Sequence, residues 1–288
     1  MKRAYLKYIA ALLLFGSNGI VASQIALSSY EIVLLRTLIG SLLLISIYFA
    51  GKGKLTFYRN MKQFLFLCIS GMAMGASWIF LYEAYTQIGV SISSLLYYCG
   101  PVLVMALSPI LFRERLGISK MIGFALVLCG IFFMNGNAFD GSGNSFGFFC
   151  GIMSAVMYAF MVICNKKAAD ITGLENSMLQ LFISFLTVAV FVGLKQGFAI
   201  QITPSSIIPI FVLGLLNTGI GCYFYFSSIG RLPIQTVAIC GYLEPLSAVL
   251  FSVAILRETM SLLQIMGAVL IIGGAIFAEC YNFKRNID

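Results

Sequence analysis

The sequence predicts an all-α integral membrane protein, with ten transmembrane helices arranged as two inverted five-helix repeats. Three observations carry that expectation. The chain is 60% hydrophobic and only 10% charged, whereas average chains carry about a quarter charged residues. Apolar runs of about twenty residues recur with short gaps, the length a helix needs to cross a bilayer. The second half of the chain also repeats the first. Pro101, Arg113, Glu114, Gly123 and Gly130 recur as Pro245, Arg257, Glu258, Gly267 and Gly274, all at one constant offset. The same offset carries Glu31 to Glu175, Gly75 to Gly219 and Tyr98 to Tyr242. Five crossings per copy is an odd number, so the second copy enters the membrane upside down relative to the first. Helices are expected because backbone groups in lipid must be satisfied internally. The short alternating segments of a membrane barrel are absent from the pattern.

The first repeat spans residues 4–135 and the second 146–281. Span one covers 4–22. Its basic start (Lys2, Arg3, Lys7) and Val21-Ala22-Ser23 imitate a secretory signal, but its counterpart in span six marks it as part of the repeat. Span two, 30–50, carries Arg36, and span three, 64–85, carries Trp78 and Glu83. Span four, 91–112, contains Pro101 near its middle, and span five, 119–135, has spaced glycines. A glycine- and asparagine-rich link, 136–145, joins the halves. Spans six to eight follow at 146–165, 174–194 and 206–228. Span nine, 234–256, repeats the mid-helix proline as Pro245, and span ten covers 261–281. Gly71 and Gly75, like Gly147 and Gly151, are spaced for close helix approach.

Charge distribution orients the bundle. With the N-terminus in the cytoplasm, fifteen of the 18 Lys and Arg residues fall in cytoplasmic loops or ends. Only Lys195 and Arg257 fall outside, and Arg36 lies within a span. The formal charge of +8 therefore reports membrane orientation, since the basic residues form no stripe for a nucleic acid. There is no His and the 8 Cys lack metal spacing, so no metal or other cofactor is expected and the cysteines read as small packing residues. The absence of glycosylation sequons and of long loops points to a plasma membrane, specifically a bacterial inner membrane, with both termini cytoplasmic.

The stretch from Pro101 reads PVLVMALSPILFRERLGISKMIGFALVLCGIFF, and that from Pro245 reads PLSAVLFSVAILRETMSLLQIMGAVLIIGGAIF. Both resemble the end of the EamA repeat of the drug/metabolite transporter superfamily. That repeat has a proline in a helix, a glutamate at the helix end, a short link and a helix with spaced glycines. Arg36 sits where the first repeat of that family typically carries an arginine, and Gln180 takes the place in the second. The resemblance covers nearly the whole chain and implies a ten-helix secondary transporter with a central cavity between its halves, often an exporter of amino acids or related metabolites.

An ionisable residue within a span is expensive, so it is a functional candidate. Glu244 falls near mid-depth, just before Pro245, and its repeat partner is Gly100. A single carboxylate in an apolar centre can meet a substrate ammonium or carry a proton, or it can be a structural, hydrogen-bonded acid. Tyr98 and Tyr242 are deep and related by the repeat, and tyrosines beside a carboxylate suit an ammonium group. Trp78, Asn18 and Tyr158 join them as candidate substrate-binding residues, although packing is an equal explanation for each. Arg36 and Glu83 both fall in the outer third of adjacent spans and are expected to pair, as an outer gate or a static ion pair. Pro101 and Pro245 are expected to kink their helices. Glu114 and Glu258 read as polar locks on short turns, and Glu279 as an interfacial group.

The expected function is secondary active transport of a small polar metabolite, an amino acid or an amine, by alternating access and in the export direction. The alternatives are a channel-like facilitator and a multidrug or quaternary-amine transporter. No Walker loop is present, so direct ATP use is not expected. With no His and no paired acidic motif, enzymatic chemistry is not expected either. The expected partners are the small-molecule substrate, a coupled proton and the lipid bilayer. The protein is expected to act as a monomer or homodimer.

Overall fold

A computed structural model describes residues 2–88, 93, 96–113, 117–134 and 145–256, and helical positions 262, 263, 265–267, 269, 270, 273, 274 and 277. The described residues form helices and no strand. The helices are α1 (Lys2–Gly16), α2 (Asn18–Ala22), α3 (Ser29–Ala50), α4 (Met61–Ile88), α5 (Gly100–Phe112), α6 (Ile118–Met134), α7 (Ser145–Lys167), α8 (Gly173–Lys195), α9 (Pro204–Val212), α10 (Gly221–Ile229), α11 (Ile234–Cys240) and α12 (Leu243–Leu256). A 3₁₀ turn, Phe57–Arg59, precedes α4, and a π-helical segment, Leu213–Ile220, fuses α9 to α10. Among the described residues, six segments are long and apolar enough to cross a membrane: Lys2–Ala22, Ser29–Ala50, Met61–Ile88, Ser145–Lys167, Gly173–Lys195 and Pro204–Ile229. Shorter apolar helices follow the same composition. The chain is therefore a multi-pass membrane protein. Glu114, Glu258, Arg257, Glu279 and most of the link between the halves lie outside the described residues.

Local chemistry sets several helix ends. Ser28 and Glu31 form a reciprocal capping box at the start of α3, with Ser28 N donating to Glu31 Oε2 at 2.8 Å. Glu175, the repeat counterpart of Glu31, occupies the same position in α8 but does not cap its own helix. Its carboxylate accepts from Thr56 N and Thr56 Oγ1, each at 2.5 Å, and from Phe57 N at 2.9 Å. It thereby ties the turn before α4 to the start of α8.

Three predicted spans are interrupted. Span one breaks at Ser17, between α1 and α2. Span four has a turn at Tyr98–Cys99, just before α5. Span nine has its turn at Gly241–Tyr242, between α11 and α12. The last two are almost the same place in the repeat. The prolines are thus not mid-helix kinks. Pro101 occupies the first turn of α5 and Pro245 is the third residue of α12. A proline is tolerated there because the first-turn amides have no intrahelical acceptor to lose. The helix restarts at the proline instead of bending around it.

The two halves interleave. α4 packs along α7 and α8, α3 along α8 and the π segment, α1 along α10 and α12, and α5 along α7 and α11. Small residues on α4 make this approach feasible. A methyl group at Gly71 would stand 2.7 Å from Ile183 Cβ, and one at Gly75 would stand 2.9 Å from Ser184 O. Ser70 Oγ donates to Met161 O at 2.6 Å and Ser77 Oγ to Ser154 O at 2.8 Å, so α4 is also hydrogen-bonded to α7. At the end of the bundle that carries the N-terminus, α11 is buried along its whole length. Tyr8, Leu12, Ile229 and Leu232 share one buried cluster with it, and Tyr8 Oη donates to Val237 O at 2.7 Å. That end is closed.

Candidate functional site

Beyond this plug, α1, α3, α4, α7, α10 and α12 converge on a cavity of about 50 Å³. Its walls are Phe15, Trp78, Tyr97, Tyr158, Tyr225 and Phe226 among the aromatics, with Met74, Met161 and Cys222 between them. Four polar residues interrupt this soft apolar surface: Asn18, Arg36, Ser77 and Glu244. Apolar walls with a few convergent polar groups are the usual make-up of a small-molecule site.

The break in span nine explains how Glu244 comes to the cavity. It is the second residue of α12, so its carboxylate sits at the positive end of a half-helix, where negative charge is stabilised. The backbone is consumed locally: Glu244 N donates to Gly241 O at 3.1 Å and its carbonyl accepts from Ser247 Oγ at 2.8 Å. Among the described residues, no donor reaches the carboxylate itself. The repeat counterpart, Gly100, starts α5 with no side chain. A methyl group there would lie 2.6 Å from Tyr158 Cδ1. One half-helix thus presents an acid, and the other leaves room for a tyrosine ring. The Tyr158 hydroxyl meets that of Tyr225 at 3.1 Å, and its ring stands edge-on to Tyr97 at 5.4 Å.

Arg36 is 4% exposed. Its Nε donates to Thr218 Oγ1 at 2.9 Å, and its guanidinium lies 4.8 Å from the centre of the Trp78 ring. Thr218 Oγ1 in turn donates to Leu213 O at 2.8 Å, across the π-helical turn. The wider π turn aims Thr218 at Arg36 and the adjacent Asn217 at the break in span one. Asn217 Nδ2 lies 2.8 Å from Leu14 O and Ser17 Oγ and 3.1 Å from Asn18 Oδ1. π segments of this kind are frequent at functional sites.

Of the candidates named from sequence, Glu244, Trp78, Asn18, Tyr158 and Arg36 line this one cavity. Tyr98 and Tyr242 do not. Tyr242 is fully buried, its ring 6.3 Å from Phe124, and its hydroxyl donates to Tyr98 O at 3.0 Å. The pair staples the interrupted spans together. The expected Arg36–Glu83 pair is also absent. Glu83 binds Lys195 Nζ at 2.9 Å, at the far end of α8, because the interleaved packing lays that end against α4. Phe15, Met74, Ser77, Met161, Cys222 and Phe226 were not singled out from sequence. An apolar side chain facing a cavity leaves the same mark in a spanning sequence as one facing lipid. Tyr97 and Tyr225 belong to a dense set of aromatics on these spans, a signal that does not say which of them face a cavity.

The sequence pattern of the EamA-like transporter family matches residues 2–136 and again residues 145–279. An uncharacterized transporter of Bacillus subtilis, YxxF, is 24% identical over 94% of this chain and 88% of its own length. The uncharacterized inner membrane transporter YicL of Salmonella typhimurium is 25% identical over 99% of this chain and 97% of its own. YetK, another uncharacterized B. subtilis transporter, is 27% identical over 98% and 88%. A crystal structure with 20% sequence identity superposes with a TM-score of 0.83 over 96% of this chain and 97% of that one, a likeness of fold.

Proposed function

The chain belongs to the EamA-like transporter family, and on that premise we propose that it is a secondary carrier for a small amino acid or amine, working by alternating access in the export direction. Ten spans in two inverted repeats, 4–135 and 146–281, enclose the site. Both termini face the cytoplasm of a bacterial inner membrane. The observation that carries the reading is Glu244, a carboxylate at the head of a half-helix, lining an aromatic-walled cavity with no donor on it among the described residues. Interrupted helices with their ends at a central site are a recurrent device of alternating-access carriers. The interruptions at Tyr98–Cys99 and Gly241–Tyr242 fit that device.

In this reading Glu244 holds the substrate ammonium in one half-cycle and a proton in the other. Tyr97 and Tyr158 flank the ammonium with aromatic rings, which attract cations. The plug around α11 closes the N-terminal face, so substrate enters that face only when the bundle rearranges. A cavity of about 50 Å³ enclosed on that side argues for a carrier over an open channel. The aromatic lining favours one variant, a quaternary-amine substrate, which the same assay resolves.

The test is uptake into proteoliposomes. Wild-type protein is expected to give saturable, pH-gradient-dependent flux of an amino acid or amine, and Glu244→Gln to lower it at least about tenfold, since an intramembrane carboxylate is retained for function. Full flux in Glu244→Gln removes Glu244 from the mechanism.

A further inference from the structure

Arg36 is a second charged group on the same cavity, and nothing in the mechanism above uses it. Burying an arginine in the membrane is costly unless its donors are met. Here only Nε is met, by Thr218. Among the described residues, no hydrogen bond reaches the terminal nitrogens and no acid pairs with the guanidinium. Glu83 is engaged by Lys195, and Glu244 shares the cavity with Arg36 without forming an ion pair with it. Thr218 and the Trp78 face fix the guanidinium plane, leaving a preorganised fork of donors on the cavity wall. A planar fork of this kind matches a carboxylate.

We infer that Arg36 is a specificity-determining residue that receives a carboxylate of the transported molecule, so that the site reads a zwitterion by both ends. Glu244 takes the ammonium and Arg36 the carboxylate. The inference rests on the carrier reading above and narrows its substrate class. Charge balance does the selecting. An amine would satisfy Glu244 and leave the arginine bare. A plain carboxylic acid would do the reverse. A zwitterion neutralises both charges in a water-poor cavity and adds no net charge.

The other half of the chain supplies an internal contrast. Gln180, at the repeat position of Arg36, is fully buried, and its Oε1 accepts from Asn165 Nδ2 at 3.2 Å. Asn165 also donates to Asn176 Oδ1 at 2.9 Å. At this repeat position the second half holds a neutral amide, bonded through Oε1 and with Nε2 buried and unpartnered, whereas the first half opens a cation to the cavity.

The experiment measures binding to the purified full chain by calorimetry. The probes are alanine, leucine and phenylalanine, each with its decarboxylated amine and its deaminated acid. At least one amino acid is expected to bind about tenfold or more tightly than either truncated form, the worth of a charge-assisted hydrogen bond. Arg36→Gln should abolish that preference while leaving amine affinity within about twofold. If the wild type binds an amine as tightly as its amino acid, or if Arg36→Gln weakens both equally, the inference fails and the carrier reading stands. If none of the compounds binds, the carrier reading for amino acids and amines fails, and the inference with it. Should Arg36→Gln not fold, Thr218→Val carries the test. It frees Nε while keeping the charge, and it must weaken amino-acid binding more than amine binding. Equal weakening overturns the inference.

Discussion

Glu175→Ala should destabilise the protein far more than Glu31→Ala, although the two glutamates are counterparts in the repeat. The Glu31 carboxylate accepts one bond, from Ser28 N on an exposed helix end. Its loss costs about 0.5 kcal/mol, because water replaces it and the Ser28 side chain still caps the helix. Glu175 is 7% exposed and accepts three bonds, from two backbone amides and one hydroxyl. Each is charge-assisted and each donor is only partly open to solvent. At about 1.5 kcal/mol net per bond, the low end for a charged acceptor, the loss is about 4–5 kcal/mol. Thermal unfolding of both variants in one detergent measures the difference. Trypsin supplies a second readout, because Lys52, Lys54 and Arg59 flank the turn that Glu175 holds. Glu175→Ala should speed cleavage there, and Glu31→Ala should not. Equal losses of Tm, or an unchanged cleavage rate in Glu175→Ala, would refute the reasoning.

Three further outcomes follow from the geometry. Gly100→Ala drives a methyl group to 2.6 Å from the Tyr158 ring, and should cost about 1–3 kcal/mol of stability and lower substrate affinity, read by thermal unfolding and binding. Tyr242→Phe removes the bond to Tyr98 O, and should cost about 1 kcal/mol with substrate affinity unchanged, because Tyr242 does not line the cavity. Lys195→Met breaks an ion pair whose lysine is 43% exposed. It should cost no more than about 1 kcal/mol and leave flux intact, and a large loss of flux would restore a gating role to Glu83.

Much of the architecture was legible because hydropathy needs only composition and order. Span two was expected over 30–50 and runs Ser29–Ala50; span seven was expected over 174–194 and runs Gly173–Lys195. Glu244 was legible for a related reason, since a charge among apolar residues stands out whatever its neighbours are. The interruptions were harder to read. Gly241 and Tyr242 are ordinary residues in an apolar run, and the one local signal, the proline that follows, fits a kink as well as a restart. The partners of Glu83 were illegible in principle. Arg36 and Lys195 were both at the right depth, and the choice depended on which helix faces meet, which in turn depends on how the two halves interdigitate. Thr218 was hidden for the same reason, because its role exists only where the π turn brings it to Arg36.

The interlocking of the halves has a consequence for how the chain is made. Ser70 and Ser77 on α4 donate to carbonyls of Met161 and Ser154, which are synthesised much later. Until α7 and α8 emerge from the ribosome, those hydroxyls and the glycine face, which meets α8, lack their native partners. The early product in the bilayer is therefore an unfinished surface, open to water, chaperones or the insertion machinery. The contacts of α1 with α10 and α12 likewise form only after the second half has been made.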